Sequence, residues 1–207
     1  MIGIVSYGVG NIRSVGNALD WLGAPWRLVG RADEFKSTTA IVLPGVGSFR
    51  TAMDHLHRAG LVEVLQDWSA RARPLLGICL GMQLLARRSE EGGDHAGLGL
   101  VPADVRRIPQ AEGLRIPHMG WNTVTRVRDS VLWGEMASAV CYHVHSYALS
   151  FSENDGADWV VGTVTHGRPL PSMIERGHLM ATQFHPEKSQ QDGLGILDNF
   201  LKFAATC

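Results

Sequence analysis

Seven residues, Gly77-Ile78-Cys79-Leu80-Gly81-Met82-Gln83, constrain the fold of this chain more than any others. A cysteine stands between two glycines, behind the apolar run 74–78 and ahead of a helix-like run over 80–87. G-x-C-x-G is the pattern of a strand–turn–helix elbow. Its glycines leave room for a tight, strained turn that lifts the nucleophile above a sheet. A cysteine at the start of a helix also meets the positive end of the dipole, which favours a thiolate. A nucleophile placed this way implies covalent acyl chemistry, and it needs a base, oxyanion donors and a substrate pocket.

The elbow requires a sheet, and the first half of the chain has the rhythm of one. Apolar runs at 2–5, 26–29, 40–43 and 75–79 read as strands. Between them, Ile12, Val15, Ala18, Leu19 and Leu22 mark one helix face, and Leu61, Val64, Leu65 and Trp68 another. Such alternation predicts an α/β fold with a doubly wound, mostly parallel sheet and helices on both faces. From Gly97 onward, strand candidates at 101–108, 121–127, 141–149 and 159–165 carry turn residues and predict an antiparallel flank. Residues 180–184 read as a further buried strand, and Leu197, Phe200, Leu201 and Ala204 as a closing helix. In parallel sheets the site lies at the carboxyl ends of the strands, where the elbow and Pro44-Gly45-Val46-Gly47 both fall.

Composition narrows the function classes. A chain of 207 residues with 45% hydrophobic and 19% charged residues suits a single domain over 1–207 with its own core. A net charge of −1 gives no bulk attraction to nucleic acid or an anionic membrane. Three cysteines are too few for a disulfide framework, so a reducing, cytoplasmic setting is expected. No apolar run is long enough to span a bilayer, and Met1 to Val5 reads as a strand, not a leader.

The base is sought in Gln183-Phe184-His185-Pro186-Glu187. A strand ends there, and Glu187 is close enough to reach the imidazole nitrogen that faces away from Cys79. An isolated H-P-E is more often a loop histidine beside a solvated carboxylate; a nucleophile elbow elsewhere in the chain reverses that preference. Pro44 to Gly47 allows backbone N–H groups near Val46 and Gly47 to join that of Leu80 as oxyanion donors. The plainer alternative is a strand-to-helix turn with Ser48 as N-cap. His143 and His145 share a strand face, but no third ligand is spaced to join them, so packing is expected and a metal site is not. His55 and His57 read as solvated, Asp94-His95 as an ordinary loop, Cys141 as a small strand residue and Cys207 as a tail thiol. The pairs Arg87-Arg88 and Arg106-Arg107 are too short to be nucleic-acid patches.

Six segments together resemble the class I glutamine amidotransferases, and more closely the branch of glutaminase subunits of imidazole glycerol phosphate synthase. They are Tyr7-Gly8-Val9-Gly10-Asn11 with Arg13-Ser14-Val15, Leu43 to Phe49, Gly77 to Leu85, Pro117-His118-Met119-Gly120-Trp121-Asn122, Val144 to Tyr147 and Ala181 to Ser189. The resemblance implies a flavodoxin-like fold and a Cys79-His185-Glu187 triad that hydrolyses glutamine, with no cofactor and no metal. It implies that Val46, Gly47 and Leu80 hold the oxyanion, and that Gln83 with His145, Ser146 and Tyr147 binds the amino-acid end of glutamine. It also implies a heterodimer with a (β/α)8-barrel cyclase that receives the ammonia, faced by Asn11, Trp121, Tyr142 and Lys188. Ser6, where an acidic residue is expected, and His143, where an aromatic is expected, depart from the pattern. A paralogue feeding a nucleotide-sugar or polysaccharide amidotransferase would share most of these motifs. A stand-alone cysteine hydrolase would have no need of Met119 to Asn122 or Lys188. A subunit without catalysis would have no need of an intact triad.

Overall fold

A computed structural model describes the backbone across residues 1–207 and every side chain except those at 153 and 154. The chain begins with β1 (Ile2–Val5), α1 (Ile12–Trp21), β2 (Trp26–Val29), β3 (Ala40–Gly45), α2 (Phe49–Arg58), α3 (Val62–Ala70), β4 (Leu75–Cys79) and α4 (Leu80–Leu84). β1 runs parallel to β2 and β3, and β3 runs parallel to β4. Parallel neighbours need crossover connections, and the helices supply them. Successive side chains on a strand point to opposite faces, so each strand feeds two cores. Val5 and Leu43 pack with Phe49, Leu56, Leu65 and Trp68 from α2 and α3. Their neighbours Ile4 and Val42 pack with Val15 and Leu19 of α1 and with Phe200 on the other face. Burial on both faces is why these strands are continuous apolar runs without alternation.

The second half adds β5 (Arg88–Ser89), β6 (His95–Ala96), β7 (Ala103–Arg107), β8 (His118–Arg126), β9 (Ser138–His145), β10 (Tyr147–Phe151), α5 (Glu153–Trp159), β11 (Val160–His166), β12 (Arg168–Arg176), β13 (Leu179–Thr182) and α6 (Gln190–Ala204). The main sheet has nine strands in the order β2-β1-β3-β4-β13-β12-β11-β8-β9. β13 joins β4 in parallel, and every pairing from β13 outward to β9 is antiparallel. The expected α/β layout with an antiparallel flank is therefore the one observed. A second, four-stranded sheet runs β10-β7-β5-β6. Among the described residues, no helix is long and apolar enough to cross a membrane.

His95, read as loop, lies in β6, and Trp159, read as the start of a strand, closes α5. Four further differences from the sequence reading each have a physical reason. The helix read over 80–87 stops at Leu84. Beyond it, the carbonyls of Leu84, Leu85 and Ala86 accept the N–H groups of Leu98, Leu100 and Gly99, so they cannot serve a further helical turn. A helix this short is not stable in isolation; burial of Leu80, Met82 and Leu84 holds it. β3 does not end before Pro44 but continues through Gly45, pairing Pro44 with Ile78 and Gly45 with Cys79. The strand read over 141–149 is two strands in different sheets, and the chain crosses between them at Ser146. β12 escaped detection because Pro169 and Pro171 argue against a strand. They lie past the reach of β13, which pairs only from Met173 onward, so the missing donors break no bond on that side.

Candidate active site

β4 ends in Cys79, whose backbone sits at φ 56° and ψ −112°. A non-glycine residue held there costs on the order of 1–3 kcal/mol and persists only where its surroundings over-determine it. They do so here. A Cβ on Gly81 would run into the Leu43 carbonyl oxygen, and one on Gly77 would lie 2.9 Å from the Gly81 carbonyl oxygen. The two glycines of the motif thus let the first turn of α4 lie directly against β3 and β4.

His185 follows β13 and caps the short 3-10 turn Pro186–Lys188. Its backbone N–H donates to the Tyr142 carbonyl at 3.1 Å, which ties the turn to β9. Its Nδ1–H donates to Glu187 Oε1 at 2.8 Å, and both side chains are buried. Asn11 Nδ2 donates to the same carboxylate oxygen at 3.2 Å. Burial pulls the imidazole pKa down, but Cys79 and then Glu187 outweigh it and hold His185 at about 9. The ring is therefore favoured in its charged form between two acidic partners.

A cavity of about 360 Å³ opens above Cys79 and His185. Val46, Gly47, Leu80, Gln83, His145, Ser146 and Tyr147 all line it, so the structure gathers every residue assigned to substrate or oxyanion binding. Gln83 Nε2 donates to the Tyr147 carbonyl at 2.9 Å and to Gln183 Oε1 at 3.0 Å, bracing that wall. Gln183 in turn points its amide nitrogen at Cys79 Sγ from 4.0 Å. Ser48 caps α2, its hydroxyl accepting the Thr51 N–H, as the plainer reading of the Pro44–Gly47 turn expects.

Three residues near the site were missed by sequence reasoning. Glu91 brings a carboxylate to the cavity, with Oε2 accepting the Phe49 N–H at 2.7 Å. It sits in a Glu-Glu-Gly-Gly-Asp run that looks like a solvated turn, and only the docking of that turn against α2 places it. Gln183 lies in the motif of His185 and Glu187, where an amide two residues ahead of the histidine carries no sequence signal of its own. Tyr7 donates its hydroxyl to the Pro44 carbonyl at 2.8 Å, and its own carbonyl is held by His55 Nδ1 at 3.0 Å. His55, read as solvated, is therefore a half-buried brace, because α2 lies over the β1–α1 loop. Burial, then the nearby Cys79, pushes the Tyr7 phenol well above its ordinary pKa, so it stays a donor.

The residues read as partner-facing lie along one edge. Trp121 and Tyr142 pair across β8 and β9 with ring centroids 5.9 Å apart, and Trp121 and Met119 are 50% and 63% exposed. Lys188 is exposed next to Glu187, and Asn11 reaches that glutamate from the start of α1. Cys141 is buried, which pushes its thiol up to about 12. His143 and His145 belong to a cluster with His118 and His166. Among the described residues no group of three or more His, Cys, Asp or Glu is arranged to hold a metal ion.

Comparison with known proteins identifies the family. The family model Glutamine amidotransferase class-I matches residues 10–203. A Streptococcus gordonii protein named imidazole glycerol phosphate synthase subunit HisH is 42% identical over 98% of this chain and 96% of its own length. An Arabidopsis thaliana protein named imidazole glycerol phosphate synthase hisHF, chloroplastic, is 42% identical over 97% of this chain, which covers 34% of that protein. A solved glutamine amidotransferase structure overlays with a TM-score of 0.77 at 21% identity, covering 99% of this chain and 98% of that one. The chain belongs to the class-I glutamine amidotransferase family, in its imidazole glycerol phosphate synthase HisH branch.

Proposed function

We propose that this chain, acting as one domain over 1–207, hydrolyses L-glutamine to L-glutamate and ammonia through Cys79, His185 and Glu187. It hands the ammonia to a (β/α)8-barrel cyclase that makes imidazole glycerol phosphate and aminoimidazole carboxamide ribotide in histidine biosynthesis. The observation that carries the reading is the elbow cysteine at positive φ beside an imidazole bonded to Glu187 at 2.8 Å, under a cavity sized for an amino acid.

Cys79 Sγ attacks the carbonyl carbon of the glutamine side-chain amide, and His185 takes the thiol proton. Negative charge gathers on the amide oxygen, where the N–H of Leu80 and backbone donors near Val46 and Gly47 stabilise it. His185 returns the proton to the nitrogen, the C–N bond breaks, and ammonia leaves a γ-glutamyl thioester. Water then attacks the thioester with His185 as base, and the thiolate departs from glutamate. Glu187 orients the ring and favours its charged form. At the far end of the cavity, the Glu91 carboxylate suits the α-ammonium of glutamine, and the Ser146–Tyr147 backbone suits its α-carboxylate.

Free ammonia is mostly protonated at neutral pH and then cannot act as a nucleophile, so a dry route to the synthase preserves it. The Arabidopsis relative, in which this chain accounts for 34% of the length, supports a second unit beside the glutaminase. Asn11, Trp121, Tyr142 and Lys188 are the proposed docking edge. The free thiols at Cys79, Cys141 and Cys207 suit the cytoplasm. Glutamine hydrolysis should be slow for the isolated chain and rise when the cyclase and its nucleotide substrate are added. A high rate independent of any partner would overturn the coupling, and no rate under either condition would overturn the activity.

A further inference from the structure

From His145 in the pocket wall a buried histidine array runs back into the protein, and the catalytic steps do not use it. His118 stacks between His143 and His166, with ring centroids 4.6 and 4.2 Å away. His118, His143 and His145 are 4%, 0% and 6% exposed. All six of their ring nitrogens have partners, which leaves no lone pair for a metal ion.

The proton positions follow from groups at either end whose roles are fixed. At the inner end, the Tyr147 carbonyl accepts only, so His145 Nδ1, 2.8 Å away, carries a hydrogen. At the outer end, Asn122 Nδ2 donates to the Thr165 carbonyl at 3.0 Å, while its Oδ1 accepts the Thr123 N–H at 2.8 Å. That fixes the amide orientation, and the second Nδ2 hydrogen faces His118 Nε2 at 3.3 Å. His118 Nε2 is then an acceptor, and its Nδ1–H donates to His145 Nε2 at 3.1 Å. Both ends demand the same pattern: two neutral rings, each protonated on Nδ1. Burial, which lowers both rings to about 4, keeps them neutral in ordinary buffer.

We propose that His118 is a positioning residue for the glutamine pocket: through a proton-ordered relay, Asn122 to His118 to His145, it holds the Ser146–Tyr147 wall that grips the amino-acid end of the substrate. The relay starts on the strand that carries Trp121 and ends at the carbonyl that Gln83 also braces. Its effect falls where the chain crosses between sheets at Ser146, which belongs to neither strand; the Ser146 carbonyl accepts the Ile108 N–H at 2.9 Å, and the β10 ladder resumes at Tyr147. This deepens the proposed glutaminase function and rests on it for the kinetic part only.

The test uses the full chain. Imidazole 15N–1H correlation spectra near neutral pH should show His118 and His145 as Nδ1–H tautomers, the less common form of free imidazole. His118→Phe keeps the stacking but removes the donor. It should raise KM for glutamine about tenfold while kcat changes less than threefold. His118→Asn, which retains an amide donor near the Nδ1 position, should recover KM to within threefold of the parent. An Nε2–H tautomer at either ring overturns the relay, as does an unchanged KM, or a fall in kcat at constant KM, in His118→Phe. A parent chain that hydrolyses no glutamine with or without the cyclase would sink the function, while the tautomer spectrum would still decide the relay.

Discussion

His185 and His145 are buried alike, at 3% and 6% exposure, and line the same cavity, yet their environments push them in opposite directions. His185 faces Cys79 and Glu187 and rises to about 9. His145 faces another imidazole and a carbonyl and falls to about 4, as does His118, while His143 falls to about 3. Desolvation is the leading cause at all four rings and always disfavours the charged form. An acidic neighbour decides the sign. One region is built to carry and move a proton, the other to keep its protons fixed in place.

The largest effect expected of breaking this contrast is Cys79→Ser. It removes the proposed nucleophile and the group that most raises His185. Glutamine hydrolysis should fall by at least about a thousandfold, while ammonia-driven synthesis by the assembled enzyme persists. Glutamine use retained in steady-state assays would exclude Cys79 as the nucleophile. Glu187→Gln comes next. It replaces the second acidic partner with a neutral one, should slow hydrolysis less, by about ten- to a hundredfold, and should lower the His185 pKa in a ring-proton NMR titration. A loss as complete as in Cys79→Ser would contradict the orienting role.

A third test reads both regions at once through the pH dependence of stability. His185 is raised above its ordinary 6.5, so its contribution is present below 6.5 and is lost as pH rises through about 9. His118, His143 and His145 are lowered, so theirs is present above 6.5 and is lost as pH falls toward about 4. Near pH 5 those three rings should take up about three protons on unfolding. Calorimetry in buffers of different ionisation enthalpy counts them, and near-zero uptake would refute the neutral array. The smallest effect is expected from Tyr7→Phe, which removes a neutral donor beside the same thiol. With one hydrogen bond worth about 1 kcal/mol, kcat should fall roughly fivefold. An unchanged kcat would show that the Pro44 carbonyl needs no brace.

How much of this was legible in sequence varies by element. The elbow was legible because its glycines answer a local steric demand, and Cys79 takes up positive φ within it. His185 and Glu187 were legible because two residues of separation and a proline confine them to one short turn. β12 was not, because its prolines are tolerated only by where β13 ends. Nor was Glu91, because a carboxylate in a glycine-rich loop looks the same whether it faces water or a pocket. The histidines at 118 and 166 gave no periodic or spacing signal that would place them together; pairing of β8 with both β9 and β11 does that.

Local chemistry therefore determined the parallel half, the strained elbow cysteine, the histidine–glutamate turn proposed to serve it and the family motifs, since each depends on residues a few positions apart. Tertiary structure decided where the pocket wall bends at Ser146, which polar groups brace it, and which histidines are charged. Those outcomes depend on desolvation and on neighbours brought from distant strands, and a buried imidazole takes its protonation from its contacts, not from its place in the chain.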